Sequence, residues 1–307
     1  MSDKRNEADD YLSHDVDQTK QSFKDKWNSS SHFQIGGLYA FDSDTLSWIY
    51  TRNGFSCVAD FIKHVSQYQI ILDAGCGNGR VLGLLDDLLE DEHSLIGVDA
   101  SSAEVARRNL RKRNVTIFEG DLTVAASLEG IPRPDFIYCQ EVLHHTSNPE
   151  GSFRNLIDLL MPGGEIAIYV YKVKAPVREF TDDYVRSLIS NLPHEEAMDL
   201  TKDFAEFGKA LAHLNVAVDI PELRLLGIKA GTYPVQRLFY NFFVKCYWNK
   251  ELSMEDNNMI NYDWYHPSLC SRHTVEEVHG WFSSNDMQII HSCEDDYGIT
   301  ERGKKGK

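Results

Sequence analysis

Residues 70–80 read IILDAGCGNGR. Ile70, Ile71, Leu72 and Asp73 suit a buried strand, and glycines follow at every second position, Gly75, Gly77 and Gly79. VLGLLDDLLE then takes over with helical spacing. A buried strand that turns through glycines into a helix start brings backbone close to a ligand, since no Cβ intervenes. The first amides of that helix also lack intrahelical partners, which favours a ligand with a negative group.

Outward from this stretch, strands and helices alternate. SLIGVDA (Ser94 to Ala100) reads as a second strand ending in an acid. Ser101 and Glu104 have the spacing of a capping box for the helix SSAEVARRNLRKRN. VTIFEGDL gives a third strand, DFIYCQ a fourth, and EIAIYVY a fifth after the MPGG turn that stops a helix at about Leu160. Such alternation predicts a doubly wound, mostly parallel α/β sheet covered on both faces, with the ligand beyond the carboxyl ends of the strands. From about residue 173 to 272 the pattern turns helical and includes ten aromatics between Gly231 and Tyr265, which reads as a helical cap insertion. Thr274 and Glu277 form a second capping box, and MQIIHSCED and YGITERGKK can supply the last two strands. The expected division is an N-terminal helical lid segment with a frayed start (1–65), a binding core (66–172), the cap on the substrate side (173–272) and a C-terminal helix with strands (273–307). Phe23 and Trp27 share one face of a short helix that either packs on the body or covers the pocket. One or two further helices are expected from Gly36 to His64.

The 307 residues, 42% hydrophobic and 25% charged, fit an ordinary globular protein. A net charge of −16 lacks the footprint of a nucleic-acid-binding surface. Six cysteines without a C-x-x-C pair, and no N-terminal apolar signal, point to reduced thiols and a cytoplasmic location, with no metal. The run LFYNFFVKCYW, broken by Lys245, is too short to span a membrane.

The glycines exclude two ligands. G-x-G-x-x-G fails because the third glycine comes one residue early, and no Gly-Lys-Ser/Thr follows as a P-loop needs. Acids close three strands instead, namely Asp73, Asp99 and Asp121. Each alone could be a helix cap; together on one sheet edge they outline a nucleoside site, Asp99 standing where a carboxylate takes ribose hydroxyls.

ILDAGCGNGR, IGVDAS, FEGDL, DFIYCQEVLHH and LMPGGEIAI, in this order, resemble the class I S-adenosylmethionine-dependent methyltransferases of the small-molecule type. The resemblance covers about Ile70 to Tyr171 and implies a Rossmann-like seven-stranded sheet whose last strand is antiparallel. It also implies S-adenosyl-L-methionine as cofactor. Gly75, Cys76 and Gly77 would face its methionine portion and Asp73 its amino group. Asp99, followed by Ala100, would take the ribose, Asp121 and Leu122 the adenine, and Gln140 the methionine side. Cys76 reads as a small packing residue rather than a nucleophile.

Methyl transfer from a sulfonium needs alignment in a water-poor pocket, and a base only for acceptors that must lose a proton. His144 and His145, just after the fourth strand, are the first candidates. Asp263 and His266 are the second, as a carboxylate–imidazole pair or as parts of a turn anchoring the cap. Tyr171, Lys172, Arg272 and His273 can also reach a pocket. The expected acceptor is a small molecule, and a homo-oligomer stays open. The alternatives are a protein or RNA methyltransferase, though QEVLHH lacks the (N/D/S)-P-P-(Y/F) signature, and a non-catalytic scaffold that binds the cofactor.

Overall fold

The computed structural model describes residues 2–29, 44–90, 92–111 and 113–307. Three helices come first: α1 (Ser2–Ser29), α2 (Asp44–Thr51) and α3 (Val58–Val65). The alternation follows as β1 (Ile70–Ala74), α4 (Arg80–Leu88), β2 (Ser94–Asp99), α5 (Ala103–Asn109), β3 (Val115–Glu119), β4 (Phe136–Gln140), α6 (Pro149–Leu159) and β5 (Glu165–Tyr171). Next are α7 (Pro176–Ile189), α8 (His194–Leu214), β6 (Ala217–Ile220), β7 (Gly231–Pro234), α9 (Val235–Phe242) and α10 (Met254–Tyr265). The chain closes with α11 (Val275–Ser284), β8 (Met287–Glu294) and β9 (Gly298–Lys305). Two compact units result. One holds residues 27–172 and 271–307, the other residues 1–26 and 173–270.

The first unit is built on a seven-stranded sheet in the order β3-β2-β1-β4-β5-β9-β8. β1 to β5 pair in parallel, and β9 runs antiparallel to both β5 and β8. This is the Rossmann-like sheet with an antiparallel last strand that the sequence led us to expect. Successive side chains face opposite ways, so each central strand feeds two cores. Leu72, Ala74, Ile137, Cys139, Ile166 and Ile168 pack with Phe153 of α6 and Phe282 of α11. Ile71, Phe136, Tyr138 and Ala167 pack with Phe61 of α3 and Leu82 of α4. β5 is buried along its whole length, as an unbroken apolar run requires, whereas β8 alternates and lies at the edge.

The second unit surrounds α10, of which eight residues are buried, several of them polar. Each buried asparagine is satisfied locally: Asn257 bonds the backbone of Asn249, Asn258 bonds Thr201 and Met198, and Asn261 brackets Tyr247. α1 spans Ser2–Ser29, and its later turns carry partners for distant backbone. Gln18 accepts from the Ser268 amide at 2.7 Å and Thr19 from the Leu269 amide at 2.9 Å. Part of the helices expected from Gly36 onward lies outside the described residues. The stretch expected to be all helix also contains the β6–β7 hairpin, where Val218, Ile220, Thr232 and Tyr233 supply β-forming side chains. The expected 1–65 segment is divided, with residues 1–26 in one unit and 27–65 in the other. Of the two capping boxes, Thr274 does accept from the Glu277 amide at 3.2 Å. The Ser101 box does not form, because Asp99 takes the amides of Ser101 and Ser102 itself.

Candidate functional site

The carboxyl ends of β1 to β4 bring Asp73, Asp99, Asp121 and Gln140 to one edge of the sheet, with the glycine loop between β1 and α4. Gly75 (φ +83°) and Gly77 (φ +53°) are left-handed. A Cβ on Gly75 would meet Val142 at 2.3 Å, and one on Gly77 would meet the Trp27 indole at 2.8 Å. The loop therefore needs glycine for both conformation and contact.

The loop amides correct one expectation. Gly75 and Cys76 donate to Val98 O, Gly79 to Cys76 O, Gly77 to Asp99 Oδ2 and Arg80 to Asn78 Oδ1. These donors serve the fold, so the loop is not an anion cradle, and its backbone offers shape rather than positive charge. Cys76 is buried. Burial, with Asp99 and Asp73 nearby, pushes its thiol well above the ordinary range, consistent with packing.

Buried carboxylates in this unit fall into two kinds. Glu165, at the opposite end of β5, meets His64 (2.9 Å), Tyr68 (2.8 Å) and Arg302 (2.9 Å). Burial alone would raise it, but these partners hold it below its usual value. Asp135, only half-buried, receives the amides of Gln69 and Ile70. Asp73 is just as buried, yet no hydrogen bond among the described residues involves its carboxylate. Burial pushes it up to about 7, Arg80 pulling it down and Asp99 pushing it further up. A buried carboxylate without a donor is expensive to keep, which marks it as a place for a ligand cation.

A second incomplete group sits two strand positions away. The buried amide nitrogen of Gln140 has no hydrogen-bond partner among the described residues. The next residue, Glu141, has φ +62°, a conformation that a side chain adopts only under constraint. Its carboxylate meets Arg52 at 3.0 Å, and Arg52 lies 4.1 Å from the Tyr169 ring and 3.4 Å from Asp295. Asp99 and Asp121 each bind their own following loop. Asp121 Oδ1 accepts from Thr123 N at 2.9 Å, with Leu122 buried beside it. Ala100 follows Asp99 at the mouth of β2.

His144 and His145 occupy a one-turn 3-10 helix after β4 (Leu143–His145). His144 is fully buried, its ring stacked 3.7 Å from Tyr171 and tilted against that of His145 at 4.3 Å. The Tyr171 amide donates to its Nδ1 at 3.3 Å, and Ser271 donates to its carbonyl. Its proton in the neutral ring therefore sits on Nε2. His145 is half-buried. His273, whose amide donates to Tyr171 O, bonds Glu277 at 2.8 Å.

Asp263 and His266 belong to the other unit, and they do not form the suggested pair. Asp263 is 2.8 Å from Lys26. His266 Nε2 donates to Leu192 O at 3.0 Å, so its Nδ1 accepts from Ser22 Oγ at 2.9 Å. Each is tied to α1 or its neighbours, and burial lowers the His266 pKa first of all. Sequence reasoning passed over Arg52 and Glu141. No local signal could have found them, since the contact spans 89 positions.

Residues 72–168 match a family model described as a methyltransferase domain. This part of the chain is a class I S-adenosylmethionine-dependent methyltransferase domain. The methyltransferase domain takes S-adenosylmethionine as its cofactor. The open groups fit such a molecule: a carboxylate without a hydrogen-bond donor at Asp73, an amide without an acceptor at Gln140, and a loop that admits no Cβ at Gly75 or Gly77. Among curated proteins, the tRNA (carboxymethyluridine(34)-5-O)-methyltransferase of Macaca fascicularis is 26% identical over 145 residues, 46% of this chain and 20% of that protein. The ubiquinone biosynthesis O-methyltransferase of Coxiella burnetii (strain RSA 493 / Nine Mile phase I) is 29% identical over 99 residues, 31% of this chain and 41% of that protein. The chain thus spans less than half the length of either relative. Among solved structures, the 1,6-didemethyltoxoflavin-N1-methyltransferase of Burkholderia thailandensis has a TM-score of 0.45 at 13% identity. It covers 99% of this chain and 90% of its own. No helix among the described residues is long and apolar enough to cross a membrane.

Proposed function

We propose that the protein transfers a methyl group from S-adenosylmethionine to a small-molecule acceptor. The observation that carries this reading is Asp73, a buried carboxylate at the glycine loop that lacks any donor of its own. In this reading Asp73 takes the cofactor's ammonium and Gln140 its methionine carboxylate. Gly75, Cys76 and Gly77 line the methionine portion, Asp99 with Ala100 takes the ribose hydroxyls, and Asp121 with Leu122 takes the adenine. When bound, the cofactor supplies an electrophilic methyl on a sulfonium. The chain's own contribution is to align the acceptor and exclude water, and positioning of this kind is worth about 7–11 kcal/mol of barrier. His145 is the base for an acceptor hydroxyl. His144, with its Nδ1 held by the Tyr171 amide, keeps the 3-10 turn and its neighbour in place. Asp263 and His266 support the second unit rather than proton transfer, because both are bonded to α1 or its neighbours.

The likeness to a tRNA methyltransferase favours a second reading, an RNA acceptor. The charge of −16 weighs against it, because phosphate binding needs a basic surface. A cytoplasmic setting accompanies the small-molecule reading. Methyl-labelled S-adenosylmethionine, incubated with the protein and a cell extract then split into small-molecule, protein and nucleic-acid fractions, separates the cases. Label in the small-molecule fraction is expected. Label confined to RNA overturns the proposal, and cofactor binding without transfer to any fraction makes the protein a scaffold.

A further inference from the structure

Helix α7 inverts the arrangement of an ordinary surface helix, whose apolar stripe faces inward. Its buried side carries ions: Arg178 pairs with Asp182 at 2.7 Å, and Arg186 donates to Trp264 O at 2.9 Å. Its outer side carries Phe180, Tyr184 and Leu188, which are 79%, 66% and 56% exposed. A spacing of four places the three in one row, about 12 Å long at the helical rise. The row continues beyond the start of the helix. A Cβ at Gly227 would lie 3.7 Å from Pro176 Cδ, so the loop between β6 and β7 rests on the first turn of α7. That loop holds Leu225, 92% exposed, and Leu223, 40% exposed. All five apolar residues belong to the helical unit.

Their area is that of an interface. At about 200 Å² for each whole residue, the five exposed fractions amount to roughly 650 Å². The largest apolar patch on a typical monomer is about 300–600 Å². A stable protein–protein interface takes about 800 Å² from each partner, so these residues supply most of one half. Charge and symmetry choose the partner. Both arginines of α7 are buried, so the outer face lacks the basic flanks with which amphipathic helices lie on membranes. The acids beside the row are engaged within the unit, Asp183 with Arg186 at 3.0 Å and Glu179 with the Lys174 amide at 2.6 Å. The row is also self-complementary, with Phe180 and Leu188 four residues to either side of Tyr184. Two such helices packed antiparallel about a two-fold axis at Tyr184 set Phe180 of each copy against Leu188 of the other.

We propose that the outer face of α7, extended by the β6–β7 loop, docks a second copy of this chain in a two-fold symmetric dimer. The proposal does not depend on the acceptor. Each chain carries a net charge of −16, so the copies repel at a distance and attract only on contact. The dimer therefore tightens as salt screens the repulsion.

The test is sedimentation velocity of the full chain from about 1 to 100 μM. A monomer–dimer equilibrium is expected, with a dissociation constant that falls when sodium chloride is added. Tyr184→Lys brings two like charges together at the axis and raises that constant by about thirtyfold or more, and Phe180→Ser does the same. Both side chains are exposed, so the circular dichroism spectrum and the cofactor affinity of the two variants match those of the wild type. Ile290→Lys, at an exposed position of β8 in the other unit, leaves the dimer unchanged. A wild type that stays monomeric at every concentration overturns the proposal, whether it remains free or floats with vesicles of phosphatidylcholine and phosphatidylglycerol. A dimer that survives Tyr184→Lys, or one that is lost in Ile290→Lys, overturns it as well.

Discussion

Asp73→Asn separates the stability of the methyltransferase domain from its ligand binding. Burial raises the Asp73 carboxyl from its ordinary 3.8 to about 7 in the folded chain. At ~1.4 kcal/mol for each tenfold change in proton affinity, that difference is worth about 4 kcal/mol. The sign follows from which state holds the proton. Between about pH 4 and 7 the ligand-free folded chain keeps it and the unfolded chain has lost it. The stabilisation is therefore complete below about pH 4, falls as pH rises, and is gone above about pH 7. Asparagine has no such titration. Relative to the wild type, Asp73→Asn is expected to gain roughly 2–4 kcal/mol on going from pH 4 to pH 8, the lower figure allowing for relaxation around the site. Urea unfolding of both ligand-free proteins at pH 4, 6 and 8 reads this directly. The same variant binds S-adenosylmethionine more weakly, since the ammonium loses its counter-charge. In the wild type at pH 6, cofactor binding releases a proton, visible as a dependence of the calorimetric heat on buffer ionisation. Parallel stability curves for the two proteins between pH 4 and 8 would refute the reasoning.

Four further outcomes follow from the same geometry. Asp99→Ala removes the acceptor of the Gly77, Ser101 and Ser102 amides along with the proposed ribose contact, so the cofactor Kd rises by about tenfold or more in calorimetry. Gly75→Ala forces a Cβ into Val142 at a left-handed position and costs about 1–3 kcal/mol in thermal unfolding; adding Val142→Ala restores the steric part only. Asp182→Ala leaves the Arg178 guanidinium buried without its carboxylate and destabilises the helical unit by about 3–5 kcal/mol in urea unfolding. His145→Gln is expected to lower the turnover of a hydroxyl acceptor by about 10²-fold, with unchanged cofactor Kd by calorimetry.

The seven strands were legible because their signals are local. An apolar run such as EIAIYVY, stopped by MPGG before it, can only be a buried strand, and the period-2 pattern of MQIIHSCE marks an edge. Asp99 was legible as an acid at a strand end, but its role as receiver of three amides was not. The glycine loop shows the limit most clearly. IILDAGCGNGR announces close backbone approach, yet only the fold reveals that Val98 O and Asp99 take its amides and that the carboxylate of Asp73 is buried without a hydrogen-bond donor among the described residues. Asp263 and His266 stand three apart in a stretch rich in functional side chains. Their partners, Lys26, Ser22 and Leu192, lie 74 to 244 positions away, and no short-range pattern records such distances.

The attachment of Gln18, Thr19 and Ser22 to the turn at 266–269 has a consequence for how the chain is made. The helical unit has its first strand of sequence at residues 1–26 and the remainder at 173–270, with the intervening residues belonging to the sheet. During synthesis α1 emerges long before the backbone it caps exists, so its polar side chains wait in water while the first five strands assemble. Closing that loop late is an entropic barrier of the kind that slows folding. Neither unit is a continuous segment, so no single cut isolates one, and deletion of residues 1–26 would strip the 266–269 turn of its hydrogen-bond partners.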